Sequence, residues 1–66
     1  MDLPIRLDQF LQLSGLVGTG GEAKQRVQAG EVTVDGAPEL RRGRKLRGGE
    51  EVGLGARRAR VPAAPA

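Results

Sequence analysis

A capped helix followed by a strand and a tight turn is encoded within Leu16–Gly36, and this pattern limits the possible folds more than any other part of the chain. Positions 19–22 read TGGE, which matches a capping box. The Thr19 side chain can accept a hydrogen bond from the Glu22 N–H, and the Glu22 side chain can accept one from the Thr19 N–H. Gly30 lies where such a helix would end in a left-handed residue. We therefore predict a helix from about residue 20 to residue 29.

The remainder of this segment is typical of a half-buried strand. Val32 and Val34 alternate with polar residues, and the DG pair at positions 35–36 is typical of a two-residue hairpin turn. Ala23 and Val27 give the preceding helix a narrow apolar face. Because a helix of this length is not stable alone in water, it must pack against other elements of the chain.

A first helix is predicted before this segment. Leu7, Phe10 and Leu11 have the i, i+3, i+4 spacing of a buried helix face. We predict that Asp8 caps this helix at its N-terminus and that Gly15 ends it.

Later strands are expected to bury Leu46, Val52 and Leu54, with a turn at residues 48–50. The alternation is lost near residue 56. The chain has 66 residues, enough for one domain with a small core. We predict that this domain covers residues 1–55 and that residues 56–66 form a basic, Ala/Pro-rich disordered tail.

Basic residues are concentrated in the second half of the chain. Residues 1–40 carry three basic and six acidic side chains, whereas residues 41–66 carry eight basic and two acidic ones. Five of the eight lie in Arg41–Arg47 (RRGRKLR), which we call the basic block. Such an asymmetry in a small chain favours nucleic acid or another anionic surface as the partner.

Composition excludes several kinds of site. The chain has no Cys and no His, which excludes disulfides, structural zinc sites and nucleophilic catalysis by Ser–His or Cys–His pairs. Glu50 and Glu51 are adjacent, but a short turn offers no cleft in which two carboxyl groups could perform acid–base chemistry. We therefore expect a binding protein with no enzymatic activity, metal, cofactor or small-molecule substrate.

The chain also lacks the signals of membrane insertion and export. No apolar run approaches the roughly 20 residues that a membrane span requires. The N-terminal MDLPIRLD lacks the basic segment and the apolar segment of a signal peptide. We expect no membrane partner and a cytoplasmic location, while no feature points to a particular oligomeric state.

Aromatic residues are nearly absent, which narrows the kind of nucleic acid. There is no Trp and no Tyr, and Phe10 is needed in the core. Single-strand binders of the RRM and OB types stack bases on exposed aromatic side chains. We therefore expect structured RNA, double-helical or junction-like, that is recognised by its backbone and shape.

The order RLDQFL, GLVGTGGEAKQRVQAG, EVTVDG and then a basic strand resembles the S4-type RNA-binding domain, most of all its small stand-alone bacterial members, the YbcJ-like group. The resemblance covers about residues 5–54. It implies an α+β fold of two packed short helices followed by a small, mostly antiparallel sheet. It also implies non-catalytic binding of ribosomal or tRNA-like RNA, in connection with translation or ribosome assembly.

The resemblance further implies an RNA surface on the helical pair, the loop before the second helix and the adjoining basic residues. The matching positions here are Arg6, Thr19, Gly20, Gly21, Lys24, Arg41, Arg42, Arg44 and Lys45. Many family members have an Arg directly after the Ser or Thr of that loop, where this chain has Gly20. Either the glycine backbone approaches the RNA directly, beside the anion-favouring start of the helix, or binding depends mainly on the basic block.

Two other functions remain open at this point. The basic block could dock an acidic protein partner, or the chain could bind DNA. DNA ranks lower because no recognition helix with base-reading side chains is evident. We expect the basic block to lie beside Thr19 and Lys24. Replacement of its Arg42, Arg44 and Lys45 with Ala should weaken RNA binding far more than replacement of the tail residues Arg57, Arg58 and Arg60.

Overall fold

The computed structural model describes residues 1–63, which form two helices and six short strands. In chain order these are β1 (Ile5–Arg6), α1 (Leu7–Leu13), α2 (Gly20–Gln28), β2 (Val32–Val34), β3 (Ala37–Pro38), β4 (Lys45–Leu46), β5 (Glu51–Leu54) and β6 (Arg57–Arg60). The strands form a two-stranded antiparallel sheet, β1-β4, and a four-stranded antiparallel sheet in the order β3-β2-β5-β6. The α+β fold expected from the sequence is confirmed. Neither helix of this part of the chain is long and apolar enough to cross a membrane.

The first helix begins one residue before the predicted cap. Arg6 is the N-cap residue, and Asp8 lies within the first turn, so the prediction of Asp8 as the cap is wrong. The N–H groups of Leu7 and Asp8 donate instead to the backbone carbonyls of Arg44 (2.8 Å) and Arg42 (3.0 Å). A distant segment therefore satisfies the backbone donors that the start of a helix leaves unpaired.

The connection between the helices follows the local sequence closely. Gly15 has a φ of 79° and ends α1, as predicted. The Thr19 hydroxyl accepts a hydrogen bond from the Glu22 N–H (3.1 Å) and caps α2. The Glu22 carboxylate returns to the Gly18 N–H (2.8 Å), one residue before the predicted Thr19 N–H.

The end of α2 and the first hairpin also agree with the prediction. Gly30, with a φ of 77°, follows the C-cap of α2. Val34 pairs with Ala37 across a two-residue turn. Asp35 (φ 51°) and Gly36 (φ 84°) both have the positive φ that the favoured two-residue hairpin turn requires.

One hydrophobic core lies between the helical pair and the sheets. Ala23, Val27, Val32 and Val34 are buried at the predicted positions. Leu46 and Val52 are fully buried, and Leu54 is half-buried against the core. The buried hydrophobic residues of the described chain are Ile5, Leu7, Phe10, Leu11, Leu16, Val17, Ala23, Val27, Val32, Val34, Leu46, Val52 and Val61.

The predicted disordered tail is wrong for the residues that the structure describes. Residues Arg57–Arg60 form β6, which pairs with all four residues of β5. Val61 is fully buried, and its backbone exchanges hydrogen bonds with Gly49 (2.9 Å) and Glu50 (2.8 Å). The domain therefore extends past the predicted boundary at residue 55, because Ala59 and Val61 supply an apolar alternation that the intervening arginines obscure. The last part of the predicted tail, residues 64–66, lies outside the described residues.

Candidate nucleic-acid interface

The basic block lies where β1, α1 and β4 meet. Arg6 and Lys45 are directly opposite each other across the β1-β4 pair, and both are exposed. The carbonyls of Arg42 and Arg44 hold the first turn of α1. The side chains of this block therefore project from a backbone that is fixed by hydrogen bonds, although strand β4 itself has only two residues.

The buried carboxylate of Glu39 contacts two arginines of the basic block. Glu39 is 9% exposed, and its two oxygens contact Arg44 Nη1 (3.0 Å) and Arg41 Nε (3.5 Å). It also accepts the backbone N–H of Arg41 at 3.2 Å. The hydrogen bond from Arg44 and that from the Arg41 backbone hold the pKa of Glu39 below its ordinary value, although burial opposes them.

Glu39 thus orients two arginines of the basic block, a role that was missed from the sequence. The available signal was an acidic residue directly before a run of basic ones. Arg41, Lys45 and the glycine between them, Gly43, line a shallow surface depression together with Arg44. An anion seated there would meet several cationic groups at once.

The cationic side chains fall into two groups. Within residues 1–63, Lys24, Arg42, Lys45 and Arg47 make no ion pair and no side-chain hydrogen bond. All four are exposed. The other basic side chains are held by carboxylates, or, in the case of Arg57, by the carbonyls of Gly15 (2.7 Å) and Leu16 (3.4 Å). The unpaired cations are therefore the ones most available to phosphate groups.

The loop of Thr19, Gly20 and Gly21, which we call the glycine loop, lies at the opposite end of α1 from the basic block. It follows the end of α1, and a Cβ on Gly20 would lie 3.5 Å from the Gln12 side chain in the last turn. The basic block adjoins the start of α1, and a Cβ on Gly30, just after α2, would lie 3.8 Å from the side chain of Leu40 beside the block. The length of α1, about 10 Å for seven residues, lies between the glycine loop and the backbone of the basic block, and the expected position of the block beside Thr19 and Lys24 stays a prediction.

The N-terminus of α2 is exposed to solvent, but the Glu22 carboxylate already lies beside it. Gly20 and Gly21 are exposed, and Lys24 is exposed one turn further along the helix. The Thr19 hydroxyl and the Glu22 carboxylate are both engaged in capping. Because Glu22 already supplies negative charge to this helix end, a phosphate here would meet a weaker attraction than at the basic block.

Comparison with known proteins identifies the family. The sequence model of the S4 domain matches residues 1–62. The chain belongs to the S4 domain family. This S4 domain is 46% identical over 48 residues to a protein of Bacillus subtilis (strain 168) named "Probable ribosome maturation protein RlbA". The alignment covers 73% of this chain and 68% of that relative. No solved structure matches this S4 domain at a significant level.

The match also bears on the extent of the domain. It includes β6 and Val61, which agrees with the strand pairing and burial described above. The resemblance inferred from the order of motifs is confirmed.

Acidification is expected to destabilise this S4 domain through Glu39. Because the pKa of Glu39 is lowered in the folded state, its stabilising contribution is complete above its ordinary pKa of 4.5 and is lost as the pH falls through the folded-state pKa. Glu39→Gln should cost about 1–3 kcal/mol at neutral pH, because the charge-assisted hydrogen bond from Arg44 to this buried carboxylate is lost. Thermal melts from about pH 7 down to about pH 3 should then show a smaller loss of stability for the variant than for the wild type.

Glu31→Gln is the matched control for this measurement. Glu31 is exposed and pairs with Arg26 at 2.9 Å on the surface of α2, where an ion pair contributes little. This control should follow the wild-type pH profile. If Glu39→Gln also follows it, Glu39 does not carry the acid sensitivity.

Proposed function

We propose that this protein binds structured RNA, ribosomal or tRNA-like, through the basic block and acts without catalysis in ribosome maturation. One observation carries the proposal: Arg42, Lys45 and Arg47 are exposed, make no ion pair with any residue of 1–63, and lie on one short segment whose backbone is hydrogen-bonded to α1. Phosphate contacts from such side chains supply most of the affinity of a protein for nucleic acid. The name of the Bacillus subtilis relative supports the link to ribosome maturation.

The geometry suits a double-helical or folded target better than a flexible single strand. Phe10, the one aromatic residue of the chain, is 2% exposed and cannot stack on a base. Arg41 and Arg44 are held in place by Glu39, so less conformational entropy would be lost when they bind phosphate. Such a surface recognises the spacing of phosphates and the shape of the RNA.

The glycine loop and Lys24 would provide a second, weaker contact. Phosphates follow one another closely along a double helix, so one RNA helix can reach both the basic block and the start of α2. Because Gly20 stands where many family members have an Arg, the basic block would supply most of the affinity for RNA. Working beside ribosomal RNA, the protein would act in the cytoplasm.

A salt titration tests this function. Fluorescence anisotropy with an RNA hairpin should give a plot of log K against log salt with a slope of about −3 to −4, since each duplex phosphate contact contributes about −0.9. A DNA duplex of matched sequence should bind more weakly, because it lacks the A-form shape and the 2′-hydroxyl groups. An affinity for the hairpin that does not change with salt would contradict the proposal, and preference for an acidic peptide over RNA would favour the protein-docking alternative.

A further inference from the structure

Strand β6 presents two arginines on the side of the sheet that faces away from the core. Successive side chains of a strand point to opposite faces. Ala59 packs against the core and Val61 is fully buried, so Arg58 and Arg60 point outward. Their side chains are 57% and 64% exposed.

The Arg60 guanidinium is held in a fixed position. Its Nη1 donates to the carbonyl of Gly49 at 2.7 Å, and its Nη2 lies 3.4 Å from the Glu51 carboxylate. Gly49 comes two residues after the end of the basic block. Arg60 therefore lies close to the end of the block, although it is distant from it in sequence.

The Arg58 side chain lies across the sheet surface. Its partner in the strand pairing is Gly53, and a Cβ added to Gly53 would lie 2.9 Å from Arg58 Nη1 and 2.7 Å from Thr33 Oγ1. Gly53 thus leaves the space that the guanidinium occupies. Glu51 lies 3.9 Å from Arg58 Nε and is the one carboxylate paired with it in the described chain.

We infer that Arg58 and Arg60 form a second phosphate-binding site on the outer face of β5 and β6. Both guanidinium groups are placed before binding, so little side-chain entropy would be lost. Together with the basic block, the site would contact one continuous RNA surface. This inference rests on the proposed function, because it assigns further residues to the same RNA interface.

The double variant Arg58→Gln/Arg60→Gln tests the site, with binding to the RNA hairpin measured against salt. We expect affinity to fall about tenfold at moderate salt and the slope of log K against log salt to become shallower by about 1–2, as the loss of up to two phosphate contacts predicts. Arg26→Gln is the matched control, since Arg26 is also paired with carboxylates but lies on α2. The control should bind as the wild type does.

A variant with the opposite expected effect excludes misfolding as the explanation. Glu51→Gln removes the carboxylate that competes with RNA phosphates for both arginines, while Arg60 keeps its hydrogen bond to the Gly49 carbonyl, so affinity should rise about two- to fivefold. Wild-type affinity in both the double variant and Glu51→Gln would overturn the site. Equal losses in the double variant and Arg26→Gln would also overturn it. If the double variant fails to fold, the affinity of Glu51→Gln alone decides whether Arg58 and Arg60 bind phosphate. If the wild type does not bind RNA, the proposed function itself fails.

Discussion

Replacing Arg42, Lys45 and Arg47 with Gln is expected to weaken binding to an RNA hairpin by on the order of 100-fold at about 0.15 M salt. Each lost phosphate contact forgoes counterion release worth about 1 kcal/mol at that salt, and 1.4 kcal/mol is a factor of ten. The three side chains are exposed and make no ion pair within residues 1–63, so the fold should survive their replacement. Anisotropy titrations and a circular dichroism melt measure the two effects.

Arg44 is left unchanged in this variant for a structural reason. Its removal would leave the buried Glu39 carboxylate without its closest cationic partner, so a binding loss could reflect unfolding. The charge-matched control is the triple variant Arg26→Gln/Arg58→Gln/Arg60→Gln, which removes the same number of positive charges elsewhere. We expect about a tenfold loss for this control. Equal losses in the two triple variants would show that net charge, and not the position of the basic block, controls binding.

A chain that ends at Gly55 is expected not to fold. It lacks all of β6, which leaves β5 without a partner on one side, and it lacks the fully buried Val61. Burial of one Val side chain contributes about 1.5–3 kcal/mol. A domain of this size has a total stability of only about 3–10 kcal/mol. Circular dichroism and amide NMR dispersion should therefore show an unfolded chain.

A chain that ends at Ala63 is the control, because it keeps every residue that the structure describes. It should melt at the wild-type temperature. The Val61→Ala variant of the 66-residue chain should have an intermediate stability, with a loss of about 1–3 kcal/mol in the free energy of unfolding. A folded chain ending at Gly55 would show that β6 is not part of the cooperative unit.

Features whose interacting residues lie close together in the sequence were predicted better than features whose residues lie far apart in the sequence. The cap, apolar face and glycine stop of α2 all lie within a dozen consecutive positions, and the helix was predicted to within one residue. The start of α1 was misplaced because its N–H groups are paired with carbonyls more than thirty residues away. A propensity for Asp at helix starts cannot reveal such a partner.

The candidate site shows the same division. The basic block and its exposed side chains could be recognised from composition and charge. The role of Glu39 could not, because whether a carboxylate beside arginines is buried depends on how the hairpin packs. Strand β6 was missed because its inward residue Ala59 and the buried Val61 just after it alternate with arginines, as they do on an edge strand whose outer face meets solvent.

The pairing of α1 with the carbonyls of Arg42 and Arg44 makes folding and recognition inseparable in this small domain. The first turn of the helix cannot open without releasing the basic block, and the block cannot rearrange without uncovering the donors of Leu7 and Asp8. A ligand that binds only the ordered block therefore stabilises the whole domain by an amount that rises with the logarithm of its concentration relative to its Kd. RNA binding and the folding of α1 are therefore thermodynamically linked. A change that destabilises α1 also weakens RNA binding, even where it removes no phosphate contact.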